Sequence, residues 1–167
     1  MLATGVLAVA VTCALWWTYF TRVKPELDHA LESVEGSARS TMARDVFSLT
    51  HFPLLCGVIA IAAAVEEVLA HPSEPLPLLW RVTLAAGLTL FLGSTGVAVW
   101  RARARVLIPR LVLTLATAAI VVLGPDGRIA VLLMALMGVV LIAVAEEWSP
   151  TATDLVHRTV GGDPRIG

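Results

Sequence analysis

Ionisable side chains in an apolar chain mark where chemistry has to be sought. At the centre of a membrane helix each costs about 2.5–3.5 kcal/mol to insert. In this chain of 167 residues, 57% apolar and 15% charged, His51, Glu66, Glu67 and His71 gather around one apolar stretch. At about 100° per residue of helix, Glu66 returns to within about 60° of the His51 direction, whereas Glu67 falls about 160° away. One face thus carries a histidine and a carboxylate about 22 Å apart. That pair fits a polar track for a proton, a cation or a small solute, since histidine changes charge near neutral pH. It fits equally well the two hydrated ends of an ordinary span. Glu67, on the other face, lies level with Arg81 at the start of the next apolar run and is expected to form a structural ion pair with it.

Other chemistries find less support. Glu67 and His71 stand four residues apart, with Glu66 adjacent, but a frayed, Pro-terminated helix end with no cysteine nearby is a poor cage, so neither metal nor cofactor is expected. Ser48 and His51 lie one turn apart without an acidic orienter or a glycine elbow, so no hydrolase triad and no enzyme activity is expected. Cys13 and Cys56 fall inside apolar runs, where a free thiol behaves as a small apolar residue. Pro53 either kinks a helix that already runs from Asp45, or sits in the first turn of one capped by Thr50.

The elements that must position these residues follow from composition. A soluble domain runs nearer ~45–50% apolar and ~25% charged. A net charge of −1 provides no basic field for nucleic acid, and two cysteines are too few for a disulfide scaffold. A bilayer core about 30 Å thick needs about 20 apolar helical residues. Five such runs occur, at about 1–21, 46–70, 80–100, 106–124 and 128–146. The fourth is broken by Arg110 alone, whose stem is expected to snorkel to the headgroups. The first run has no basic segment before it and no small-residue cleavage site, so it reads as a span rather than a signal peptide. The expected fold is an all-α, polytopic transmembrane bundle of about five spans.

Of the twelve basic residues, ten lie on one side: Arg22, Lys24, Arg39, Arg44, Arg101, Arg103, Arg105, Arg110, Arg158 and Arg165. Arg81 and Arg128 lie opposite. The bias predicts an inner-membrane protein with its N-terminus outside and its C-terminus in the cytoplasm. Trp16, Trp17, Tyr19, Trp100 and Trp148 fall at span ends on the cytoplasmic side, where interfacial rings anchor helices.

The links between spans are mostly short. Gly124-Pro125-Asp126-Gly127 is turn chemistry, and His71-Pro72-Ser73-Glu74-Pro75 is equally tight. The long first loop places Leu27, Leu31, Val34 and Ala38 at helical spacing, which predicts an amphipathic helix over 25–39. Residues 149–167 read as a flexible tail. Gly57, Ala60 and Ala64, with Gly87, Gly93, Ser94, Gly96 and Ala98, offer small surfaces for close helix approach. The expected partners are the lipid bilayer, and beyond it the chain itself or another membrane subunit.

Three stretches also resemble a known family. ALWWTYF at 14–20, ARDVFSLTHFPLLCGVIAIAA at 43–63 and VLAHP at 68–72 are similar to the signature of the bacterial low temperature requirement A (LtrA) membrane proteins. The resemblance covers roughly residues 10–75, and the later spans agree only in hydropathy. It implies a multi-span membrane protein linked by name to growth in the cold, with no established mechanism, substrate or cofactor. It also implies a longer protein, about twice this length, of which the present residues resemble the C-terminal half.

Overall fold

A computed structural model describes residues 2–25, 28, 50–71, 73–103 and 108–147, and every regular element among them is helical. Helix α1 spans Leu2–Thr18 and continues into a single π-helical turn, Tyr19–Val23. Four more follow: α2 (Thr50–Ala70), α3 (Leu78–Arg103), α4 (Ile108–Leu123) and α5 (Arg128–Glu147). The chain is an all-α bundle. The proposed loop helix at 25–39, save for Pro25 and Asp28, lies outside the described residues, as do the tail at 149–167, Trp148 and the segment before Thr50. Pro53 is the fourth residue of α2 as described.

Among the described residues four helices are long and apolar enough to cross a bilayer, namely Leu2–Thr21, Thr50–Ala70, Leu78–Trp100 and Arg128–Ala145. The 16 residues of α4 make about 24 Å of helix, short of the full thickness. Its direction is nevertheless fixed by contacts. Arg81, near the start of α3, bonds to the end of α4, while Arg110, near the start of α4, bonds to Leu92 and Thr95 further along α3. The two helices are therefore antiparallel, and α4 is the short return strut of the bundle. Leu76 N–H donates to Asp126 O at 2.8 Å, so the α2–α3 and α4–α5 links share one end of the molecule.

Around the bundle the packing order is α2, α3, α4, α5, α1. Half of the α3 span is buried, against 22% for α2, which makes α3 the central helix. Leu84, Leu88 and Leu92 of α3 meet Val131, Leu132 and Val139 of α5, Val11 and Leu15 of α1, and Ile61 and Val68 of α2 in one core. Small residues let α2 and α3 touch backbone to backbone: a Cβ added at Gly57 would stand 2.8 Å from Gly87 O. Gly93, also expected at a close approach, faces open space.

The exterior is apolar and the interior holds much of the polarity. Phe52, Ile59, Leu79 and Leu123 are largely exposed, while Thr18, Arg81, Thr95, Arg110, Thr114 and Arg128 are buried. That inversion suits lipid, where any backbone or hydroxyl group must find its partner inside the protein. The hydroxyls comply locally. Thr18, Thr89, Thr95, Thr114 and Thr117 each donate to a carbonyl four residues earlier in their own helix.

Arg81 and Arg110 depart from expectation. Arg81 does not pair with Glu67. Its Nε donates to Val121 O at 3.0 Å and its Nη2 to Gly124 O at 2.5 Å and to Val122 O, so it caps α4. The last carbonyls of a helix lack intrahelical donors and carry the negative end of the dipole, and a planar guanidinium matches several at once. Arg128 does the same for α2, with Nε on Glu74 O at 2.5 Å and Nη1 on Glu67 O at 2.6 Å. Arg110 does not snorkel. It is 5% exposed, and its guanidinium turns inward to Leu92 O at 3.3 Å and to the Thr95 hydroxyl.

Candidate functional site

The ring of helices is nearly closed, and its open seam holds a groove. Helix α1 leans on α5 and touches α2 only marginally. Between α1 and α2 lies a groove of about 960 Å³, floored by Ile61 and Phe91. The volume is within the range of small-molecule sites, about 300–1,000 Å³.

Each wall follows from local sequence. On the α2 side, Leu54, Val58, Ala62 and Val65 recur at the helical period, between His51 at one end and Glu66 near the other. On the α1 side the wall is Thr12, Leu15 and Trp16, continued by Tyr19 and Phe20. The π turn begins at Tyr19, with the Lys24 N–H bonding back to Tyr19 O. Its wider winding changes the angular step between residues, and no signal in the sequence announces it. The turn is held by Val23, which is 1% exposed and fully within the protein. Tyr19 and Phe20 meet edge to face at 5.1 Å between centroids, and Phe20 lies 4.7 Å from Trp16.

The structure brings His51 and Glu66 onto this one groove. Glu66 is exposed there, with no ion pair among the described residues. Glu67 points elsewhere. Its carboxylate lies 3.2 Å from His71 Nδ1 and 3.9 Å from Arg128 Nη2, a structural cluster tying the end of α2 to the start of α5. Arg128 thus takes the place expected of Arg81, because it arrives on the same side of α2 as Glu67 while Arg81 is held by α4.

The aromatic residues divide. Trp16, Trp17 and Trp100 are exposed at helix ends, as anchors would be, and Tyr19 is half-buried. Trp16 and Tyr19 have the added place in the groove wall, and Phe91 on its floor was not singled out by sequence at all. Trp80 sits at the opposite end of α3 from Trp100, packed against the core. Among the described residues no three His, Cys, Asp or Glu side chains lie together as a metal would need. Cys13 and Cys56 are free thiols.

The family described as "Bacterial low temperature requirement A protein (LtrA)" matches residues 1–146. The chain belongs to the LtrA family. Neither a curated protein nor a solved structure matches it. The match runs through all five helices, well beyond the stretch from 10 to 75 that carried the resemblance. In this LtrA-family chain, parts of all three signature stretches border the groove: Trp16, Tyr19 and Phe20 from the first, His51 and Leu54 from the second, Leu69 and Ala70 from the third. It is a membrane protein with several apolar spans.

Proposed function

We propose that this LtrA-family protein is a non-enzymatic permeation protein of the bacterial inner membrane, in which the α1–α2 groove forms one wall of a path for a solute or ion. The observation that carries this reading is the joint placement of His51 and Glu66, about 22 Å apart along α2, on one groove that runs most of the length of the helix. Ionisable groups held at membrane depth and facing a cavity are the usual mark of such paths. The orientation with N-terminus outside and C-terminus cytoplasmic rests on basic residues, and the burial of Arg110 removes one from the exposed set without reversing the bias.

Flux into proteoliposomes tests the role. His51→Ala and Glu66→Gln should abolish it at unchanged expression, and a wild-type protein carrying no proton, no inorganic cation and no organic cation would overturn the reading. Orientation is checked separately with Ser73→Cys in the exposed α2–α3 link, which should react with an impermeant thiol reagent added outside intact cells.

One observation favours a second reading. Between its two ionisable ends the groove is lined by Leu54, Leu55, Val58, Ile61 and Val65, a surface other transmembrane helices can cover. On that reading the chain is a non-transporting accessory subunit. A cysteine at Val58 would then cross-link to another polypeptide in native membranes, and flux would be absent.

A further inference from the structure

The lining of the groove discriminates among permeants. A small hydrated ion moving from Glu66 to His51 would have to leave its water against Val65, Ala62, Ile61 and Val58, none of which offers a polar side-chain atom. A permeant with its own apolar surface escapes this cost, because burying that surface is itself favourable.

Charge then selects the sign. Among the described residues the groove lining contains one carboxylate, Glu66, and no lysine or arginine. Of the arginines at the same end of the bundle, Arg128 lies 3.9 Å from the Glu67 carboxylate, which balances its charge, and neither it nor Arg81 lines the groove. At the far end stand Trp16, Tyr19 and Phe20, whose ring faces attract cations that have shed water. One end thus offers a carboxylate, the other aromatic faces beside the His51 imidazole, and the stretch between them an apolar wall.

We infer that the groove binds lipophilic organic cations, with the positive centre at Glu66 and the apolar body along the α2 wall. The inference rests on the groove being the working site and names the class of molecule it takes. A delocalised or alkylated cation has the low desolvation cost the wall demands, and the aromatic trio provides a second station for the same charge.

The test uses two ions of nearly equal shape and opposite charge, tetraphenylphosphonium and tetraphenylborate. Each is titrated by calorimetry into the full chain in lipid nanodiscs, with empty nanodiscs subtracted. Saturable binding of tetraphenylphosphonium without saturable binding of tetraphenylborate is expected. Glu66→Gln should weaken it by about fivefold, the scale of one partly exposed charge pair. Glu74→Gln, which removes the same charge from the exposed link outside the groove, should leave it unchanged. Equal binding of the two ions overturns the inference and needs no variant to fold; so does an unaltered affinity in Glu66→Gln. Cation binding without flux would sink the permeation role and leave this inference standing, whereas flux of small cations without tetraphenylphosphonium binding would sink this inference alone.

Discussion

Replacing Gly57 by alanine probes the contact that sets α2 against α3 and so fixes one wall of the groove. An added Cβ would meet Gly87 O at 2.8 Å, Phe91 N at 2.8 Å and Leu90 Cβ at 3.2 Å. Unstrained contacts of carbon begin near about 3.5 Å, so the helices must part by roughly 0.7 Å. Two of the opposing atoms are backbone and cannot rotate aside. Overpacking of this kind costs about 1–3 kcal/mol, and the helix propensity gained by replacing glycine returns about 0.5–1 kcal/mol. The net expectation is a loss of about 1–2 kcal/mol. Gly93→Ala is the internal control, since nothing stands within 4 Å of its added Cβ and only the propensity gain remains. Purified variants in mixed micelles, unfolded by titration with denaturing detergent and followed by circular dichroism, give the comparison. A Gly57→Ala protein as stable as Gly93→Ala would refute the backbone contact and the helix arrangement built on it.

Other consequences can be checked in the same preparation. Arg128→Met removes the guanidinium from Glu74 O and from Glu67 O, which keeps only the His71 N–H at 3.3 Å, and should destabilise the protein by about 1–3 kcal/mol in that titration. At Gly138 an added Cβ would lie 2.2 Å from Thr117 Oγ1, itself held to Leu113 O at 2.7 Å. Gly138→Ala alone should therefore be costly, and Thr117→Ala should rescue it only in part, with a coupling of about 1 kcal/mol, because Thr117 Cβ itself would remain 2.7 Å from the added Cβ. Beyond the π turn, the Lys24 ammonium is held above the usual lysine range by its 2.7 Å hydrogen bond to Asp28 and then by that residue's charge. The pair therefore acts below the ordinary lysine pKa and is lost as pH rises through the elevated one. Asp28→Asn should bring the Lys24 titration down, as followed by NMR of the side-chain Cε; an unchanged titration would show that Asp28 is not the cause.

Much of the architecture was legible because bilayer thickness is a one-dimensional constraint. The apolar runs at 1–21, 80–100 and 128–146 became helices with ends displaced by only a few residues, since burial in lipid admits little else. The face relation of His51 and Glu66 was equally readable, because helical phase is fixed by residue number within one element. Relations between elements were not. Glu67 was paired with Arg81 by level along the membrane, but level does not say on which side of α2 a neighbouring helix arrives. Arg110 was sent to the headgroups on length alone, whereas the Thr95 hydroxyl and a carbonyl of α3 offered it an internal partner.

The sequence by itself thus determined that the chain is helical, roughly how many times it traverses an apolar layer, which family it belongs to and which residues share a helix face. Hydrophobic length and helical period are local properties, and the chain carries them in order. Only the tertiary structure decided that α3 is central, that α1 leaves α2 for α5, and that Arg81 and Arg128 cap other helices. Those choices come from competition among partners distant in the chain, for backbone contact at Gly57 and Gly87 and for donors at helix ends. The groove exists because α1 won its contact with α5, and nothing in the period or hydropathy of either helix records that outcome.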